Sequence, residues 1–145
     1  MITYRAPVAT DVEAAMDIAT EMTRELIFGP PTIEKIRKLL DGRYFVLAAW
    51  DDARIVGFIV AEVCETLVNN ERHGHEKTLY VRPSHRGGRI AIRLIAAYES
   101  WARSCGAGRV WLSQSTAEKI GGTARFYMRL GYHIMGVNTC KRLST

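Results

Sequence analysis

The stretch Leu79-Tyr80-Val81-Arg82-Pro83-Ser84-His85-Arg86-Gly87-Gly88-Arg89-Ile90-Ala91 constrains this chain more than any other. An apolar strand breaks into a basic, Gly-rich turn, and Ile90, Ala91, Leu94, Ile95, Tyr98, Trp101 and Ala102 then recur at helical spacing. The first backbone N–H groups of that helix have no partner inside it, and the positive end of its dipole faces the turn, so the turn attracts an anion. Gly87 and Gly88 permit tight backbone and close ligand approach. Arg86 and Arg89 add charge at the same point, in the arrangement that holds a diphosphate.

At 145 residues, the chain suits one domain, 1–145, burying roughly 68–70% of its unfolded-chain surface without a disulfide or metal staple. The apolar runs Tyr44 to Trp50 and Ile55 to Ala61 are strand-length and far short of the ~20 residues of a membrane span. No basic-then-apolar leader opens the sequence, and Cys64, Cys105 and Cys140 are odd in number and far apart; the expectation is a reducing, cytoplasmic setting with no membrane partner. The net charge of +5 reads as an anionic small ligand, since Arg82, Arg86, Arg89 and Arg93 cluster around the Gly turn. The aromatic and basic interleaving of a nucleic-acid surface is lacking.

Ile2 to Arg5 alternates like a short strand, and Thr10 or Asp11 caps a helix running to about Leu26. Thr32 opens a second helix ending near Gly42. Phe45 to Trp50, the turn 51–53 and Arg54 to Val63 form a predicted hairpin. The polar segment Asn69 to Gly74 leads into a strand His75 to Val81, the Gly turn, and a helix from Ile90 to Cys105 capped by Gly106. A strand Val110 to Leu112, a helix Gly121 to Leu130 stopped by Gly131, and closing strands Tyr132 to Val137 and Cys140 to Leu143 complete the chain. The order indicates a mixed α/β (α+β) fold, a central, mostly antiparallel sheet of about 6–7 strands flanked by about four helices.

Two motifs in this order resemble the GCN5-related N-acetyltransferase (GNAT) superfamily. Val81-x-Pro83-x-x-Arg86-Gly87-Gly88-Arg89-Ile90-Ala91 is similar to its Gln/Arg-x-x-Gly-x-Gly/Ala pyrophosphate loop. Phe126-Tyr127-Met128-Arg129-Leu130-Gly131-Tyr132 resembles its aromatic-Tyr-x-x-x-Gly-aromatic segment. There are departures: aligning Arg86 and Ala91 with the motif's ends puts Arg89 where the family has Gly, while a one-residue shift puts Gly88 there with His85 and Ile90 at the ends. The Asn often found about seven residues before the family's Tyr is Ile120 here.

The resemblance implies transfer of an acetyl group from acetyl-CoA, as cosubstrate and without a metal, to a primary amine of a small molecule or protein in a ternary complex. It implies that Leu79, Tyr80 and Val81 run beside the pantetheine arm and that Arg86, Gly87, Gly88, Arg89, Ile90 and Ala91 hold the diphosphate. It further implies that Tyr127 meets the cofactor and donates a proton to the departing thiolate. An alkylammonium of pKa ~10.4 is almost wholly protonated at pH 7, so the amine must lose a proton. His75 is one candidate base, Glu76 another, and ordered water a third. Simple alternation puts His75, Lys77, Leu79 and Val81 on one face of the strand and Glu76, Thr78 and Tyr80 on the other.

Other readings start from other residues. Glu71-x-His73-x-His75 carries metal-type ligands at strand spacing but shows no fourth ligand, and Cys64 has no partner base nearby in sequence. Glu21, Glu25 and Glu34 either greet a cationic acceptor or form a solvated face. The alternative function is a non-catalytic acyl-CoA-binding or sensing module of the same fold. The resemblance also admits a homodimer paired through the last strands or the hairpin.

Overall fold

The computed structural model describes residues 1–26, 28–113 and 120–143, leaving the side chains of 120 and 121 aside. These fall into two compact units, Met1–Ser113 and Gln114–Thr145. The first unit holds β1 (Ile2–Arg5), α1 (Val12–Glu25), α2 (Ile33–Leu39), β2 (Phe45–Asp51), β3 (Arg54–Glu65), β4 (Arg72–Val81), α3 (Ile90–Ser104) and β5 (Arg109–Trp111). The strands form one sheet in the order β1-β2-β3-β4-β5. The first four are antiparallel to their neighbours and β5 is parallel to β4. Among the described residues, no helix is long and apolar enough to cross a membrane.

Both faces of the sheet are covered, because each central strand is apolar on both sides. On one face α3 lays Leu94, Tyr98 and Ala102 against Ala49, Val56, Ile59 and Ala61. On the other, Ile18 of α1 packs with Ala48, Trp50, Ile55 and Tyr80. Ile55 and Val56, adjacent in sequence, reach opposite cores. α2 begins as the sequence predicts, with the Thr32 hydroxyl accepting from the Lys35 amide at 3.4 Å, and packs on α1.

α3 ends on Gly106 (φ +83°). The Ala107 amide reaches the Ala102 carbonyl, and that of Gly106 the Arg103 carbonyl, each at 3.0 Å. These two bonds are the Schellman termination that a left-handed residue permits.

The β3–β4 hairpin is longer than the sequence suggests. His73 and Gly74, which read as turn, pair with Cys64 and Val63, and the turn is confined to a polar knot in which the Thr66 amide donates to the Glu71 carbonyl at 3.0 Å. Gly74 is there for packing: a Cβ would stand 2.9 Å from the Tyr98 hydroxyl and 3.0 Å from Val110.

The second unit contains α4 (Ile120–Arg129). Gly131 (φ +93°) terminates it, with the Tyr132 amide on the Tyr127 carbonyl at 3.1 Å and its own amide on that of Met128 at 3.0 Å. The expected closing strands Tyr132 to Val137 and Cys140 to Leu143 are not formed, so the sheet has five strands rather than six or seven. Apolar alternation becomes a strand only where a neighbour takes its backbone hydrogen bonds, and no strand pairing is described for this segment.

Candidate functional site

The site begins where β4 and β5 part. They pair only at His73↔Arg109, Gly74↔Val110 and His75↔Trp111. From Glu76 to Val81, β4 is bonded to β3 on one edge, and its outer edge carries no strand among the described residues. His75 and Trp111 are the last pair before the fork, and their rings stack with centroids 6.1 Å apart and planes within 9°.

A β-bulge reverses the expected facing of the candidate bases. Val60 pairs with Thr78 but Ala61 with Glu76, so Lys77 is an extra residue in β4. Leu79 and Val81 therefore share a face with Glu76, toward α3, while His75 shares the α1 face with Thr78 and Tyr80. Counting by twos across the bulge gives the opposite assignment.

Glu76 is half-buried, and its carboxylate accepts from the Ser113 amide at 2.9 Å and hydroxyl at 2.8 Å. Burial pushes its pKa up, and the two bonds from Ser113 oppose that. They also tie the chain leaving β5 to β4. His75 has its pKa lowered, first by burial and then by His73 and Lys77, with Glu62 opposing. The lowering favours the neutral imidazole.

Beyond Val81, a 3-10 turn at Pro83–His85 leads to the loop. Gly87 adopts φ +82° with open space where a Cβ would stand, so glycine is needed for conformation. Arg89 has φ −92° in the right-handed region, so the family's Gly position demands no glycine here. The amides of Gly87, Gly88 and Arg89 meet no acceptor among the described residues, and the first turn of α3 at Ile90 and Ala91 adds its own unpaired donors. An open, Gly-turned run of amides at a helix start fits a diphosphate.

The four arginines divide. Arg82 is 2% exposed; its Nε donates to the Ile55 carbonyl at 2.8 Å, one Nη to Asp17 at 2.6 Å and the other to Glu21. Arg86 donates to the Val81 carbonyl and to Glu25, both at 2.8 Å. Glu25 also accepts from the Tyr80 hydroxyl at 2.7 Å. Arg82 and Arg86 thus brace the loop against α1, and Glu21 and Glu25 are spent on them. The i, i+4, i+8 spacing of Asp17, Glu21 and Glu25 was the available signal for this rack. Ser113 left none. Arg89 and Arg93 stay exposed at the start of α3.

The remaining candidates are placed as follows. Glu71 lies 3.6 Å from His73, whose ring centroid is 6.4 Å from that of His75. Among the described residues no group of three ligands could hold a metal ion. Cys64 is exposed and sits opposite His73 in the ladder. In the second unit, Tyr127 lies on α4 with its ring 5.8 Å from Phe126 and 6.1 Å from Tyr132. Ile120 is the first residue of that helix.

The described residues thus form a five-stranded mixed sheet that forks beside a Gly-turned helix start. The model of the acetyltransferase (GNAT) family matches residues 12–132, and the chain belongs to that family. It is 32% identical over 101 residues to an uncharacterized N-acetyltransferase of Mycobacterium tuberculosis, a match covering 70% of this chain and 60% of that protein. The chain thus spans 60% of the length of the curated relatives it matches. Its fold is similar to that of a ribosomal-protein-alanine N-acetyltransferase from Brucella melitensis biovar Abortus 2308 (TM-score 0.78, 20% identity, covering 99% of this chain and 100% of that one). It is also similar to an aminoglycoside acetyltransferase from an uncultured soil metagenomic sample (TM-score 0.78, 20% identity, covering 99% of each chain). At these identities the likeness is one of fold.

Proposed function

We propose that this chain is an N-acetyltransferase acting by direct attack of a primary amine within a ternary complex. The observation that carries the reading is the run of unpaired backbone donors at Gly87–Arg89, reached from the open edge of β4 at Leu79, Tyr80 and Val81. Acetyl-CoA, bound along this run, supplies the thioester whose carbonyl carbon the amine attacks. The loop amides and the first turn of α3 take the diphosphate. Main-chain N–H groups on the β4 edge run beside the pantetheine arm and polarise the thioester carbonyl. Arg86 serves by holding the loop to Val81 and Glu25.

His75 is the favoured base. It stands at the fork with its pKa lowered, which favours the neutral form, and a base of this kind takes the proton the ammonium must lose. Glu76 is the second candidate; both of its hydrogen bonds from Ser113 hold the fork together, which favours a positioning role. Tyr127 is the proposed acid for the departing thiolate, a phenolic O–H being a proton donor. That role requires residues 1–145 to act as one domain. The acceptor is a primary amine on a small molecule or protein.

A thiol-release assay with acetyl-CoA and a panel of polyamines, aminoglycosides, amino acids and peptide N-termini tests the reading. Amine-dependent release is the expected result. Binding of acetyl-CoA with no release across the panel supports the acyl-CoA-binding module instead.

A further inference from the structure

We infer that the acceptor is an amino acid, its carboxylate held by the Trp111 indole N–H and the Arg109 guanidinium while its amine faces His75. The inference rests on the acetyl-transfer reading above and names the class of its acceptor. Val110 packs toward α3, so Arg109 and Trp111, on either side of it in β5, share the opposite face of the sheet. In the ladder Arg109 is level with His73 and Trp111 with His75. The three rings lie together on that face, the His73 centroid being 6.4 Å from those of both His75 and Trp111.

The carboxylates of this patch have cationic partners, and two of its donors have no acceptor. Glu62, level with His75 in β3, accepts from Lys77 at 2.6 Å, and the carboxylate of Glu71 lies 3.6 Å from the His73 Nε2. The Trp111 Nε1, by contrast, is buried and meets no acceptor among the described residues. Arg109 is exposed and makes no hydrogen bond or ion pair among them. A buried N–H almost always has an acceptor, and here an oxygen of the ligand supplies it. Residues two apart on a strand have Cα atoms about 6.6 Å from each other, within the span of an arginine side chain, and a guanidinium beside a second N–H suits a carboxylate. One carbon separates amine from carboxylate in an amino acid, and the Trp111 and His75 rings are stacked neighbours, so one small molecule can meet both. A polyamine brings no oxygen for Trp111 and a second cation beside Arg109.

The test is thiol release from acetyl-CoA by the full chain, R109Q and W111F, with a panel of L-amino acids each set beside the amine that lacks its α-carboxylate, such as phenylalanine with phenethylamine and leucine with isopentylamine. Spermidine and a peptide with a free N-terminus complete the panel. In the wild-type protein kcat/KM should favour the best amino acid over its decarboxylated partner by about a hundredfold, tenfold for each of two hydrogen bonds to the carboxylate. R109Q and W111F should each lower that ratio about tenfold, a change that damage to the fold, which slows both acceptors together, does not produce. Arg109 is exposed, so R109Q keeps the test open if W111F fails to fold. A wild-type ratio near one, a ratio unmoved in R109Q, or turnover of spermidine or the peptide alone overturns the amino-acid site and leaves the acetyl-transfer reading standing. Release with no member of the panel overturns both.

Discussion

Arg82 carries a full charge in a place where water barely reaches it, and three partners from two elements make that tolerable. Removing the cation leaves Glu21 and the Ile55 carbonyl without this donor and Asp17 with Arg54 at 3.7 Å. A buried pair broken on one side costs up to 3–5 kcal/mol. Because the carboxylates are partly exposed, Arg82→Met is expected to cost about 1–3 kcal/mol. Denaturant titration measures it, and an unchanged midpoint and slope would show the network to be ornamental. In the proposed mechanism His75 and Tyr127 carry the chemistry instead. His75→Gln should lower kcat by about a hundredfold or more with acetyl-CoA affinity preserved. A base works unprotonated, and His75 has its pKa lowered chiefly by burial. kcat/KM should therefore stay level as pH falls from 8 past the usual histidine value of about 6.5 and drop only below it, a limb that His75→Gln removes. Tyr127→Phe should reduce turnover about tenfold or more and leave cofactor affinity alone; equal turnover in the two proteins would refute the acid role.

At the scale of elements, β4 is the piece on which both the fold and the proposed site depend. α3 approaches it so closely that Gly74 has no room for a methyl group, with Tyr98, Val110 and Ala102 all within about 3 Å of one. Gly74→Ala is predicted to destabilise by about 1–3 kcal/mol through overpacking, readable as a lower thermal midpoint. Much of this architecture was legible in the residues. Capping by Thr32, termination at Gly106 and Gly131, and the strand–turn–helix at 79–91 depend on local backbone chemistry that residue type encodes. The facing of His75 and Glu76 was not legible, because the extra residue at Lys77 has no local signature; the register is set by packing on both faces of the sheet. The closing strands failed for a related reason, since whether an apolar alternation becomes a strand depends on a partner that lies outside the segment itself. Nor does the arginine count around the loop show which cations are free, because the carboxylates that claim two of them lie 61 to 65 residues away in sequence.

For the molecule as a whole, the account makes one surface responsible for function. As proposed above, the open β4 edge, the Gly-turned loop and the start of α3 would bind acetyl-CoA, with the chain's positive charge serving that anion. A ligand that binds only the folded state at about 100 times its dissociation constant adds about 2.7 kcal/mol of stability. Thermal unfolding of the full chain with acetyl-CoA, coenzyme A and ATP, each at equal concentration, is the most direct measurement. The account predicts a clear rise in the unfolding temperature with the two coenzyme A species and little or none with ATP. No rise with either would contradict it, and the family membership of the chain would then rest on a shared fold without the shared ligand.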